Sequence, residues 1–201
     1  METVLISTGI LIALILANGV FAMSEFALVS ARETRLSEWA EQGSAGARAA
    51  LDLMEDPGRF LATIQIGITF VGITAGAYGE ATLARELETY LKDIPALAGH
   101  AHNVAGAIIV LLVTYFTLII GELVPKEVGL QYDARVATII SRPLKVVGFI
   151  TAPFVSILDR STEAVCSLLH IEHGADEAPV SRGEIDQLID KWRAAGVLQP
   201  D

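Results

Sequence analysis

The chain has 201 residues, 52% of them hydrophobic, and a positive mean hydropathy. Ordinary soluble domains average roughly 45–50% apolar residues with glycine included, so this composition excludes one and indicates an integral membrane protein. The net charge of -10 argues against a nucleic-acid partner, which would require a Lys/Arg surplus, and is compatible with cations.

The first apolar stretch, Thr3 to Met23, carries no charge. It has no basic residue before it and outruns a signal-peptide core, so it reads as a retained first span. Its end, Asn18 to Leu28, places two polar side chains, Ser24 and Glu25, where the apolar run meets charge, and either could face an interior site. Ser24 either faces an interior site or bonds the carbonyl four residues back, as membrane-helix hydroxyls commonly do. Ser30 to Gly58 is charged, Ala-rich and helix-prone, and predicts one or two helices against the membrane or in a cytoplasmic hairpin, with a break at Gly43-Ser44.

Phe60 to Tyr78 is uncharged but internally polar, with Thr63, Gln65, Thr69 and Thr74 among its glycines. Gln65 and Thr69 lie four apart and share a helix face. Gly72 and Gly76 form a small-xxx-small pair that predicts close helix packing. Glu80 to Asn103 reads as a polar loop or short helix whose only Lys/Arg are Arg85 and Lys92. Arg32, Arg35, Arg48 and Arg59 precede the second span, and Lys126, Arg135, Arg142 and Lys145 follow the third. The positive-inside rule then places the N-terminus outside and the C-terminus in the cytoplasm after three crossings.

The third apolar run, Val104 to Pro125, contains one charged residue, Glu122. An intramembrane carboxylate is costly unless it is neutralised, paired or in contact with a cation. Gly121 beside it leaves room for a backbone or an ion. Pro125 lacks an N–H, which predicts a carbonyl at Gly121 that is free to coordinate. The alternative reading is an ordinary pair between Glu122 and Lys126, its i+4 neighbour.

Beyond Lys126, Val146 to Leu158 is apolar but short for a crossing and contains Pro153. It predicts an interfacial or re-entrant helix, continued as helix over Ser161 to His170. The single cysteine, Cys166, allows no internal disulfide and reads as a buried small residue. His100 with His102, and His170 with His173, read as solvated pairs rather than metal ligands. Glu172 to Pro179 reads as an acidic linker. Ser181 to Glu184 forms a capping box before Ile185, Leu188, Ile189 and Trp192. That amphipathic helix needs a partner, so the chain is expected to stop inside a larger protein.

No nucleophile-base set, phosphate-binding loop, dinucleotide fingerprint or zinc motif occurs, so an enzyme is not expected. What remains is a set of hard oxygen donors on three spans, which suits Mg2+ or Ca2+ rather than zinc or copper. The candidate metal-site residues are Ser24, Gln65, Thr69, Gly121 and Glu122.

Asn18-Gly19 followed by Ser24-Glu25-Phe26-Ala27-Leu28, then Ile64-Gln65-Ile66-Gly67, then Gly121-Glu122-Leu123-Val124-Pro125-Lys126, resemble the CNNM/CorB/CorC family, whose membrane part is the DUF21 domain. The resemblance covers roughly Met1 to His170. It implies a homodimer of three-span subunits with a juxtamembrane helical belt, transporting Mg2+ outward with Na+ as coupling ion. Ser24 and Glu122 are the family ligands it carries over, with polar residues of the second span nearby. Many relatives have Asn directly after the Gly67 position; this chain has Ile68 there and its polar group at Thr69. In the family an acidic helical bundle and two cytoplasmic CBS domains that bind ATP follow, and Val180 to Pro200 is similar to the start of that linker. Some relatives are thought to export polyamines.

The expectation is thus an all-α membrane protein of three transmembrane helices plus juxtamembrane or interfacial helices in the cell (inner) membrane. Residues 1–170 form its membrane domain and 171–201 an acidic linker and the start of a cytoplasmic bundle. Its expected partners are membrane lipid, a second copy and CBS domains. Mg2+ transport is the first functional reading, a polyamine or organic-cation exporter the second, and a membrane scaffold for CBS modules the third.

Overall fold

The computed structural model describes residues 2–169. All regular structure among them is helical: α1 (Glu2–Ser30), α2 (Glu33–Glu41), α3 (Ala45–Met54), α4 (Pro57–Gly79), α5 (Arg85–Lys92), α6 (Ala101–Leu118), α7 (Val124–Gln131) and α8 (Asp133–Leu168). π-helical turns occupy Glu80–Ala84 and Ile119–Leu123, and a 3-10 turn occupies Ala98–His100. The described residues divide into two units at the Val155–Ser156 junction. The acidic linker, the His170/His173 pair and the capped helix after Ser181 lie outside the described residues.

Local chemistry sets the element ends. Gly43 adopts a φ of 96°, which ends α2, and the Ser44 hydroxyl accepts from the Ala47 N–H to start α3. Asp56 caps α4 by accepting from the Arg59 N–H at 3.1 Å, with Pro57 at the first helical position. The segment expected to form one or two helices forms two, with the break at Gly43-Ser44. Within Glu80 to Asn103, α5 is fastened to α6 through Glu88, whose carboxylate meets Lys92 Nζ at 2.7 Å and His102 Nδ1 at 2.9 Å. Among the described residues no three His, Cys, Asp or Glu side chains group as metal ligands.

Four helical stretches are long and apolar enough to cross a membrane: Val4–Ser30, Pro57–Lys92, Ala98–Gln131 and Asp133–Leu168. Three were expected. The difference lies in Val146 to Leu158, which is not a separate short segment but the middle of α8. That helix runs through both Pro143 and Pro153. Proline removes one backbone donor without forcing a stop where neighbouring groups satisfy the freed carbonyls. Cys166 is half-buried rather than buried.

Two apolar centres hold the first unit together. One gathers Leu28, Leu36, Ala47, Phe60, Ile64 and Leu144, from α1, α2, α3, α4 and α8. The other joins Leu11 and Ile15 of α1 to Ala75 of α4 and Val113 of α6. An ion pair between Lys145 and Asp52 also links α8 to α3. Between these centres α1 touches its neighbours at glycines. A Cβ on Gly67 would strike the Phe21 ring, and one on Gly79 would approach Leu11, so α4 runs antiparallel to α1. A Cβ on Gly121 would meet the Ile15 carbonyl oxygen at 3.0 Å and one on Gly129 the Met23 carbonyl oxygen at 2.6 Å, so the α6–α7 stretch runs parallel to α1. The expected Gly72/Gly76 packing is not among these contacts. Gly72 comes only within 3.9 Å of Asn18 Oδ1, and Gly76 meets nothing within 4 Å. α4 is rotated so that Gly67, Ala75 and Gly79 are among its buried positions instead.

Candidate functional site

The site is built on a backbone irregularity. Pro125 has no N–H to give the carbonyl of Gly121, four residues earlier. Around it the helix widens into the π turn Ile119–Leu123, and the Val124 N–H reaches back five residues to the Ile119 carbonyl. The released Gly121 carbonyl is not free, as its chemistry had led us to expect. Asn18 Nδ2 donates to it at 2.9 Å, from the middle of α1. Close approach makes this possible: Gly19 lies under Pro125, where a Cβ would come within 2.9 Å of Pro125 Cγ and 3.2 Å of the Ile120 carbonyl oxygen.

Glu122, next on the π turn, has a side chain 32% exposed and accepts from Lys126 Nζ at 2.6 Å. The Lys126 side chain is 25% exposed, and its ammonium also lies 5.2 Å from the centre of the Phe26 ring. The i,i+4 pair weighed from sequence is therefore formed. Its ammonium has two seats, a carboxylate and an aromatic face.

Ser24 is buried at 2% exposure, and its hydroxyl donates to the Val20 carbonyl at 2.6 Å, the local bond of a membrane-helix serine. Ser24 lies six residues beyond Asn18 on α1, or ~9 Å along the helix axis. Gln65 and Thr69 share a face of α4 as their spacing requires, and that face is exposed. Thr63 is the buried polar residue of α4, with its hydroxyl on the Arg59 carbonyl at 2.9 Å. The structure thus joins Gly121 to Asn18 and Glu122 to Lys126, while Ser24, Gln65 and Thr69 have no hydrogen bond to either pair.

Asn18, set with Ser24 among the polar residues of the first span, was left out of the candidate ligands. It is 2% exposed, and the signal was present: a side-chain amide inside an uncharged run needs a partner in the bundle. Its Oδ1 has none. Among the described residues, Asn18 Oδ1 and Thr117 Oγ1 are the buried side-chain polar atoms without a hydrogen-bond partner. Thr117 stands on α6 one helical turn before Gly121.

Residues 9–201 match the family model of the Cyclin M transmembrane N-terminal domain, CNNM. Among curated relatives, the UPF0053 protein sll0260 of Synechocystis is 40% identical over 92% of this chain and 41% of its own length. UPF0053 protein YhdT of Bacillus subtilis is 28% identical over 98% of this chain and 42% of its own. A polyamine export protein of Haemophilus influenzae is 27% identical over 94% and 43%. The chain spans about two-fifths of the length of these relatives. With its apolar helices and a family match over nearly all of its length, it belongs to the CNNM family as a multi-pass transmembrane domain.

Proposed function

We propose that this domain transports Mg2+ across the membrane at the seam between α1 and the π turn, with Glu122 supplying the negative charge. The observation that carries the reading is a partly buried carboxylate in an otherwise uncharged span, beside a carbonyl that proline has released from the helix. In this reading Ser24, Gln65, Thr69 and the Gly121 carbonyl supply neutral oxygens after a rearrangement of the helices, since here the carbonyl accepts from Asn18, the serine bonds Val20 and the Gln65/Thr69 face is exposed; one carboxylate among them holds a divalent ion loosely enough to release it. Lys126 occupies the carboxylate until the ion arrives, then withdraws to Phe26. Na+-coupled export, three crossings with the N-terminus outside, a homodimer and ATP-binding CBS domains beyond this chain complete the proposal.

A polyamine cargo is the second reading. Glu122 already binds an alkylammonium at 2.6 Å, the contact a polyamine would make, and a relative carries the name polyamine export protein. Liposomes containing the protein decide between them. Saturable Mg2+ flux that spermidine does not inhibit supports Mg2+, spermidine flux without Mg2+ flux supports the second reading, and flux of neither leaves a scaffold for CBS modules.

Lys126→Met tests the displaced ammonium. Removing a competitor held by a part-exposed pair worth roughly 0.5–1 kcal/mol is expected to tighten Mg2+ binding about two- to fivefold by calorimetry. Unchanged or weaker binding would show that the ammonium does not compete with the ion.

A further inference from the structure

We infer that Asn18 is itself a ligand of the transported cation, through Oδ1. Neither the motif spacing nor the family resemblance assigns it that role, and the inference rests on the cation-site reading above.

The amide is oriented by its other end. With Nδ2 committed to the Gly121 carbonyl at 2.9 Å, Oδ1 is the atom turned away from that bond. It points toward α4 at Gly72, where even an added Cβ would stay 3.9 Å away. Buried side-chain oxygens almost always accept a hydrogen bond, and within an apolar span no lipid group can provide one. This oxygen has no protein donor and is buried, so its partner is an ion or a water molecule. Three features favour the ion. An amide oxygen is a hard neutral ligand of the kind Mg2+ and Ca2+ accept. Donation from Nδ2 polarises the amide and enriches Oδ1 in negative charge. The carboxylate of Glu122 follows directly on the residue that Asn18 holds. Thr117 Oγ1, also buried and unpartnered, stands one turn earlier on the same helix.

The chain has two asparagines, Asn18 and Asn103, so selective 15N-asparagine labelling gives two side-chain amide signals that Asn18→Ser assigns. Titrating the 201-residue protein with Mg2+ in detergent micelles is expected to shift the Asn18 amide signal and leave that of Asn103 in place. By calorimetry, Asn18→Ala is expected to weaken Mg2+ binding about tenfold or more. An unmoved Asn18 signal, or an alanine variant that binds Mg2+ like the parent, overturns the inference and assigns the oxygen to water. If Asn18→Ala does not fold, the labelled parent protein decides alone. Mg2+ flux in liposomes with an unmoved Asn18 signal removes the inference and keeps the transport reading. A shifted signal without flux removes transport and keeps the ligand.

Discussion

Glu122→Gln is expected to lower Mg2+ affinity by about 30- to 1000-fold and to abolish Mg2+ flux. Glutamine keeps the size of the side chain and its place on the π turn, so the change removes charge and little else. The part-exposed carboxylate is read as closed off from solvent only once the ion is bound; removing one member of such a charge pair costs roughly 2–4 kcal/mol, and that range sets the expected loss in affinity. Lys126 loses its carboxylate in the same variant, but it is part-exposed and retains the Phe26 ring, so the fold is expected to hold. Glu127, exposed on α7 a few residues away, is the matched control: Glu127→Gln is expected to bind Mg2+ like the parent protein. Calorimetry on the two variants side by side tests the assignment, and equal affinities would remove Glu122 from the site.

The largest loss of stability is expected from Gly46→Ala. Gly46 is buried on α3 against α8, and a Cβ there would lie 2.1 Å from the Thr138 carbonyl oxygen and 2.8 Å from Thr138 Cγ2. The obstacle is backbone within a long helix, so no rotamer change relieves it and the two helices must separate. Overpacking of this kind costs typically ~1–3 kcal/mol and occasionally more, and the depth of this clash places it at or above the upper end. Separation would also pull on the Asp52–Lys145 pair and on Ala47, buried beside Gly46. Gly76→Ala is the opposite case. With nothing within 4 Å of its added Cβ, it is expected to be neutral or to stabilise α4 by up to ~1 kcal/mol through helix propensity. Thermal unfolding in detergent should therefore rank the melting temperatures Gly76→Ala at or above the parent and Gly46→Ala several degrees below it. The reverse order would mean that α3 and α8 do not meet through Gly46.

What could be read along the chain was what local chemistry dictates. Uncharged runs of sufficient length indicated membrane helices, Gly43-Ser44 marked the break between α2 and α3, and Pro125 indicated a carbonyl at Gly121 without its helical donor. Glu122 stood out because one charge in an apolar run is anomalous wherever the helix packs, and its i+4 pairing with Lys126 needs only helix geometry. Val146 to Leu158 was read as a short segment because it contains Pro153, whereas α8 runs on through that proline.

How the helices turn toward one another was decided only in three dimensions. A helix that is apolar all round carries no stripe to show which face is inside, so spacing could not tell Gly67, packed on α1, and Gly79, packed chiefly on α6, from Gly76, which has nothing within 4 Å. For the same reason Gln65 and Thr69 were correctly placed on one face, but that this face is exposed followed from the rotation of α4. The donor to Gly121 comes from Asn18, 103 residues away in the chain, and no local pattern links the two. Their meeting depends on Gly19 and Gly121 letting two backbones approach closely, a contact that exists only once α1 and the π turn are packed together.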